Sequence, residues 1–130
     1  MKTILVDAVF AFIIESQDGF KIFEPMRQML DEFPNKKIIL TNASDEKFEE
    51  YGLNNMPYEF FTLKHNPDKI DSEYYKKMLG HFELKADDVV YFEHSPEAVE
   101  SARSVGIKTF LWDNEKRPLE EPAAFIRQNV

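Results

Sequence analysis

The stretch ILVDAVFA, residues 4–11, sets an aspartate directly after a short apolar run. An apolar run of this length without polar alternation is typical of a strand that is covered on both faces of a sheet. Asp7 then falls at the carboxyl end of the strand, where open parallel sheets place their ligand sites. The stretch therefore predicts a buried parallel strand that ends in an acidic site residue.

Further strands and helices follow in alternation. The other strand-length apolar stretches are KIIL at 37–40, YEFFTL at 58–63, VVYF at 89–92 and KTFLW at 108–112. Pro25, Ser44, Ser72 and Ser95 are typical first residues of the helices between them, and a weaker amphipathic segment covers 119–127. Such alternation indicates right-handed βαβ units. We expect one α/β domain over residues 1–130, with a mainly parallel five-stranded sheet between two helical layers.

Composition excludes several function classes. The 130 residues are 43% hydrophobic and carry a formal net charge of −8. This acidity argues against a nucleic-acid partner or an anionic membrane surface, both of which need a basic face. No apolar run approaches the roughly 20 residues of a membrane span. The chain has no cysteine, which fits a reducing compartment, and we expect a cytoplasmic protein.

Polar side chains follow the predicted strands at the same edge of the sheet. Asp7 ends the first strand, Thr41 and Asn42 end the second, and Glu93-His94-Ser95 follows VVYF and leads into a helix N-terminus that favours an anion. Lys69 precedes the third helix. A carboxylate, a hydroxyl, a lysine and an acidic turn are the side chains that covalent phosphoryl transfer uses.

The order of these motifs resembles the haloacid dehalogenase (HAD) superfamily over essentially the whole chain. The family pattern Asp-x-Asp-x-Thr after a strand is similar to residues 4–11, and a strand ending in Thr or Ser is similar to IILTN at 38–42. KIDSEYY at 69–75 and YFEHSPEAV at 91–99 resemble the third and fourth motifs. The resemblance implies a Rossmann-like hydrolase in which Asp7 is the nucleophile, and it implies Mg²⁺ as cofactor. It also implies that Thr41, Asn42 and Lys69 hold the phosphate of a phosphorylated substrate.

Four positions depart from the family pattern. The second aspartate of the first motif, the family's acid/base, is Val9, and the threonine is Ala11. The magnesium-binding aspartate of the fourth motif is His94, and an acidic partner four residues later is Ala98. Valine cannot transfer a proton, and imidazole is a poor ligand for Mg²⁺. These departures predict an impaired or silent phosphatase.

Several residues have alternative interpretations. Asp7, Glu93 and His94 together form a set that could bind zinc or manganese, or His94 simply forms a hydrogen bond near the helix start. Thr41 either binds phosphate or caps the following turn. Lys64 is an alternative candidate for the lysine of the site, although the spacing of the third motif favours Lys69.

The segment after Asp7 is rich in phenylalanine, which accounts for 12 residues of the chain. In the family this segment forms a small flap over the site. Phe10, Phe12, Phe20 and Phe23 predict a surface for a protein partner or a homodimer, or else an apolar hairpin arm that covers the core. The intervals between motifs leave no room for a cap domain, so the crevice should be open.

Three functions are compatible with these residues. The first is a degenerate HAD-like protein with a binding role at the flap. The second is an active phosphohydrolase with Asp7 as nucleophile, and the third is a metal-free hydrolase of the dehalogenase type. Natural divergence and redesign of the scaffold would both give this pattern.

Overall fold

The computed structural model describes residues 1–130 as seven strands and five helices. The strands are β1 (Thr3–Asp7), β2 (Ile13–Ser16), β3 (Gly19–Ile22), β4 (Lys37–Thr41), β5 (Glu59–Thr62), β6 (Val89–Glu93) and β7 (Lys108–Leu111). The helices are α1 (Glu24–Asp31), α2 (Asp45–Glu50), α3 (Ser72–His81), α4 (Pro96–Ser104) and α5 (Glu120–Asn129).

Five strands form one parallel sheet in the order β5-β4-β1-β6-β7. β1 lies at its centre, between β4 and β6, so Asp7 stands where two neighbouring strands also end. All five strands of the sequence prediction are present, and the prediction of a parallel sheet is confirmed. Because parallel strands end at the same edge, the residues that follow β1, β4 and β6 converge.

Successive side chains of β1 point to opposite faces of the sheet and pack into two separate hydrophobic cores. Ile4 and Val6 pack on one face with the buried side chains of α1 and α5. Leu5 points to the other face, where α3 and α4 provide the partners. The helices therefore cover both faces of the sheet, which confirms the three-layer architecture.

Local signals set most helix ends. Ser95 caps α4 by accepting a hydrogen bond from the Ala98 N–H at 3.4 Å. Gly106, with a φ of 94°, follows the end of α4 in the left-handed conformation that glycine favours. The third helix begins at Ser72, as predicted, but the residue that caps it is Asp71, and the helix ends at His81. The carboxylate of Asp71 reaches the Glu73 N–H at 2.9 Å.

The chain between β1 and α1 forms an antiparallel hairpin, β2–β3, and no separate cap domain lies between the strands of the sheet. Phe12 and Ile13, at the base of the hairpin, are fully buried in the core beneath it. The hairpin is thus an arm that covers one face of the domain. None of the helices combines the length and apolar character that a bilayer crossing needs.

Candidate functional site

The site is built around a buried ion pair at the carboxyl end of β1. Lys69 Nζ lies 2.6 Å from Asp7 Oδ1 and 2.7 Å from Glu93 Oε1. The three side chains are at most 8% exposed. One ammonium group therefore bridges two carboxylates that would otherwise repel each other in a place water hardly reaches.

His94 forms a hydrogen bond with the second carboxylate oxygen of Asp7, Oδ2. Its ring Nδ1 donates to Asp7 Oδ2, and its backbone N–H lies 3.4 Å from the same oxygen. Nδ1 is also 3.1 Å from Glu93 Oε2. The other ring nitrogen, Nε2, has no partner in the protein and is not a buried atom. His94 therefore turns one nitrogen to the buried carboxylates and leaves the other accessible.

Glu93 is held by groups of its own strand and the following turn. The Tyr91 hydroxyl donates to Glu93 Oε1 at 2.5 Å, which is possible because the two residues are two apart and share one face of β6. The Ser95 N–H donates to Glu93 Oε2 at 3.0 Å. Both carboxylate oxygens of Glu93 are thus paired, which fixes the side chain beneath the cavity.

The four charged groups shift one another's pKa values. Burial disfavours the charged form of Lys69, but the charges of Asp7 and Glu93 outweigh it and raise its pKa well above the usual range. Burial also opposes the charged forms of Glu93 and His94. Even so, Lys69 lowers the pKa of Glu93 well below its usual range, and hydrogen bonds to both carboxylates raise the pKa of His94 to about 10. Burial and the charge of Glu93 raise the pKa of Asp7, and Lys69 and His94 oppose that rise.

Residues after β4 support this cluster. The Thr41 Oγ1 accepts a hydrogen bond from the Ala43 N–H at 3.1 Å, which is the turn-capping interpretation of this threonine. Asn42 Oδ1 accepts from the Lys69 N–H at 2.9 Å and so positions the lysine backbone. The structure brings Lys69 into the site, whereas Lys64 is exposed and pairs with Asp45 at 2.8 Å.

A cavity of about 290 Å³ opens above the charged cluster. Val9 and Ala98 line its wall, at two of the positions where the family pattern has acidic side chains. His65 and Asp68 line it too, joined at 2.7 Å. Sequence analysis did not select this pair, because His65 stands in a loop with no pattern around it. Tyr91 was also missed, although its period-two spacing from Glu93 was a usable signal.

The four flap phenylalanines do not form one exposed surface. Phe12 is completely buried in the core, so its predicted role as a surface contact is corrected. Phe20 and Phe23 are half-buried and pack against the same core. Phe10 alone is well exposed, at 38%, and its ring meets the His94 ring edge-on with centroids 5.5 Å apart. The arm folds inward because its apolar residues gain more from the core than from solvent.

Solved structures identify the class of fold. Solved structures described as haloacid-dehalogenase-like or HAD-family proteins match this chain at TM-scores of 0.62 to 0.68, and the chain therefore has the HAD-like fold. Another solved structure that matches this chain is D,D-heptose 1,7-bisphosphate phosphatase from B. bronchiseptica, solved with magnesium and phosphate. It has 15% sequence identity and a TM-score of 0.70, and the match covers 100% of both chains.

Two further matches agree on the fold. A HAD-like protein of unknown function from Agrobacterium tumefaciens has 16% identity and a TM-score of 0.68, and 87% of this chain spans 64% of that protein. A HAD-family enzyme from Bacteroides thetaiotaomicron, solved with magnesium and inorganic phosphate, has 12% identity and a TM-score of 0.62. That match covers 88% of this chain and 95% of the enzyme. No protein-family model and no curated protein matches the sequence.

Magnesium in two of these neighbours raises the question of whether the present residues fit that ion. Mg²⁺ needs an octahedral set of oxygen ligands at about 2.0–2.1 Å. Here the set consists of Asp7, Glu93 and one imidazole, whose ligand atoms lie within 4.8 Å of one another. Each oxygen of the Asp7 and Glu93 carboxylates already accepts a hydrogen bond from the protein. The residues as they stand do not fit magnesium.

Proposed function

We propose that this HAD-like protein is silent or impaired as a magnesium-dependent phosphohydrolase and serves as a binding module. The observation that carries the proposal is that both oxygens of Asp7 are engaged, one by Lys69 and the other by His94. A carboxylate nucleophile attacks phosphorus in line with a lone pair of one oxygen, and a charge-assisted hydrogen bond to that oxygen makes it a weaker nucleophile. In this cluster, that oxygen must first lose a charge-assisted hydrogen bond in a buried place, which is costly.

The second step of phosphohydrolysis also lacks a group. After attack by an aspartate, a general acid must protonate the leaving oxygen and a base must activate water. Val9 lines the cavity at the position where the family pattern has that residue. Losing an acid/base group costs roughly 10²–10⁴-fold in rate.

The test is hydrolysis of a generic aryl phosphate by the whole chain with Mg²⁺, Mn²⁺ and Zn²⁺ in turn. Asp7→Asn is the matched variant, because it keeps the size of the side chain and removes the nucleophile. We expect the two proteins to show the same background rate. Activity in the wild type that disappears in Asp7→Asn would establish the alternative, an active phosphohydrolase with Asp7 as nucleophile.

One observation supports a second candidate, a metal-free hydrolase of the dehalogenase type. The Lys69 ammonium, 2.6 Å from Asp7, balances carboxylate charge without a metal ion. In such a reaction the carboxylate displaces halide from carbon, and water hydrolyses the resulting ester. Halide release from a 2-haloacid, compared between wild type and Asp7→Asn without metal, tests this candidate. Equal release from both proteins would exclude it.

The binding role places a protein partner or a second copy of the chain at the flap. Support comes from Phe10, which stays 38% exposed beside the cavity. Light scattering of wild type against Phe10→Ser tests self-association, since this side chain is outside the core. We expect an assembly in the wild type that the variant loses. If both proteins are monomers, the second-copy version is wrong.

A further inference from the structure

Two carboxylates and an imidazole meet in this site in the manner of a metal centre. The ligand atoms of Asp7, Glu93 and His94 lie within 4.8 Å of one another, and the two carboxylates are buried. Buried carboxylates need a compensating cation, because an unpaired buried charge is strongly destabilising. The question is whether that cation is a metal or a group of the protein.

The protein's own donors use every carboxylate oxygen of the cluster. Lys69 Nζ donates hydrogen bonds to Asp7 Oδ1 at 2.6 Å and to Glu93 Oε1 at 2.7 Å. The His94 ring donates a hydrogen bond to Asp7 Oδ2, and the Ser95 N–H donates one to Glu93 Oε2 at 3.0 Å. Since Nδ1 of His94 donates to Asp7, it has no lone pair to offer an ion.

We infer that Lys69 and the imidazole of His94 replace a metal ion in this protein, so that the site is held together without one and excludes divalent cations. The inference rests on the proposed function, because both depend on the same side chains. Beyond that function, these two side chains supply the positive charge that a metal ion would otherwise bring to the buried carboxylates. Of the two side chains, His94 is the one whose replacement releases Asp7 Oδ2 while Lys69 still compensates the buried charge.

Metal binding by variants at His94 tests this inference without any substrate. His94→Asp places a carboxylate at this position, and His94→Ala removes the ring donor from Asp7 Oδ2 without adding charge. We expect no binding of Mn²⁺ or Zn²⁺ by the wild type in calorimetric titrations. We expect saturable Mn²⁺ binding by His94→Asp, accompanied by a rise of its melting temperature with added Mg²⁺, because a ligand that binds only the folded state stabilises it.

His81→Asp is the matched control, because this exposed histidine ends α3 away from the cluster. It should bind no metal. If the wild type binds Mn²⁺ or Zn²⁺ as tightly as His94→Asp, the inference is overturned. It is equally overturned if both His94 variants fold, as judged by circular dichroism, and neither binds metal. A failure of the proposed function looks different, since it appears as Asp7-dependent phosphate release.

Discussion

Lys69 Nζ lies 2.6 Å from Asp7 Oδ1 although the two residues are 62 positions apart in the chain. The contact joins the loop before α3 to the central strand, and it is buried on both sides. A pair of this kind is a weak source of net stability while it is intact, but a strong source of instability when one partner is removed. It therefore dominates what substitutions in this site should do.

Lys69→Met should strongly destabilise the fold. The change leaves Asp7 and Glu93 buried without their shared cation, and removal of one partner from a buried pair costs about 3–5 kcal/mol. Urea denaturation measures the loss. Lys64→Met is the control, because Lys64 pairs with Asp45 at the surface and such pairs contribute about 1 kcal/mol or less. Similar losses in the two variants would contradict the bridging role of Lys69.

Tyr91→Phe and Tyr75→Phe should differ although both delete one buried hydroxyl. Tyr91 donates to Glu93 at 2.5 Å, and a hydrogen bond to a charged group is worth about 1.5–3 kcal/mol. The hydroxyl of Tyr75 is buried without a partner, so its removal should be neutral or stabilising. Chemical denaturation of the two variants side by side gives the comparison. Equal destabilisation would refute the assigned partner.

Stability should fall as pH rises from about 6.5 to 10. The folded state raises the pKa of His94 from 6.5 to about 10 through its bonds to Asp7 and Glu93, which outweigh burial. A group with a raised folded pKa contributes fully below its unfolded pKa and loses that contribution as pH approaches the folded value. The slope for one proton is at most about 1.4 kcal/mol per pH unit.

Denaturation midpoints measured across this pH range test the point. His94→Asn should remove the alkaline slope, whereas His81→Asn should keep it. A wild-type profile that is flat between pH 6.5 and 10 would mean that His94 is not held in its charged form.

Val9→Asp alone should not restore phosphohydrolysis. It supplies an acid/base carboxylate at the cavity wall, but both oxygens of Asp7 remain engaged. The double variant Val9→Asp/His94→Asp removes both obstacles, and we expect Mg²⁺-dependent aryl phosphate hydrolysis above the wild-type background. The same double variant with Asp7→Asn is the control. Activity in Val9→Asp alone would show that the His94 contact is no obstacle.

Much of the architecture is predictable because it is local. Apolar runs of strand length predicted all five sheet strands, and capping residues such as Ser95 marked helix starts. At the third helix the pattern named only Ser72, whereas Asp71 forms the cap, since side-chain geometry decides which oxygen reaches the backbone. The sequence left two alternatives for Phe12, a surface contact or a hairpin arm that covers the core, and the structure selects the second. The chain turns through a left-handed Phe10, with a φ of 69°, and the two residues after this turn, Ala11 and Phe12, are fully buried in the core.

The sequence by itself determined the parallel α/β domain and the position of Asp7 at a strand end, because both follow from the period and length of apolar runs. Only the tertiary structure decided what Asp7 touches. Lys69 and His94 reach it from 62 and 87 residues away, and such contacts depend on strand order and helix docking. The same aspartate could have faced a metal ion or the protein's own cations. In this fold the Lys69 ammonium and the His94 imidazole bind the Asp7 carboxylate.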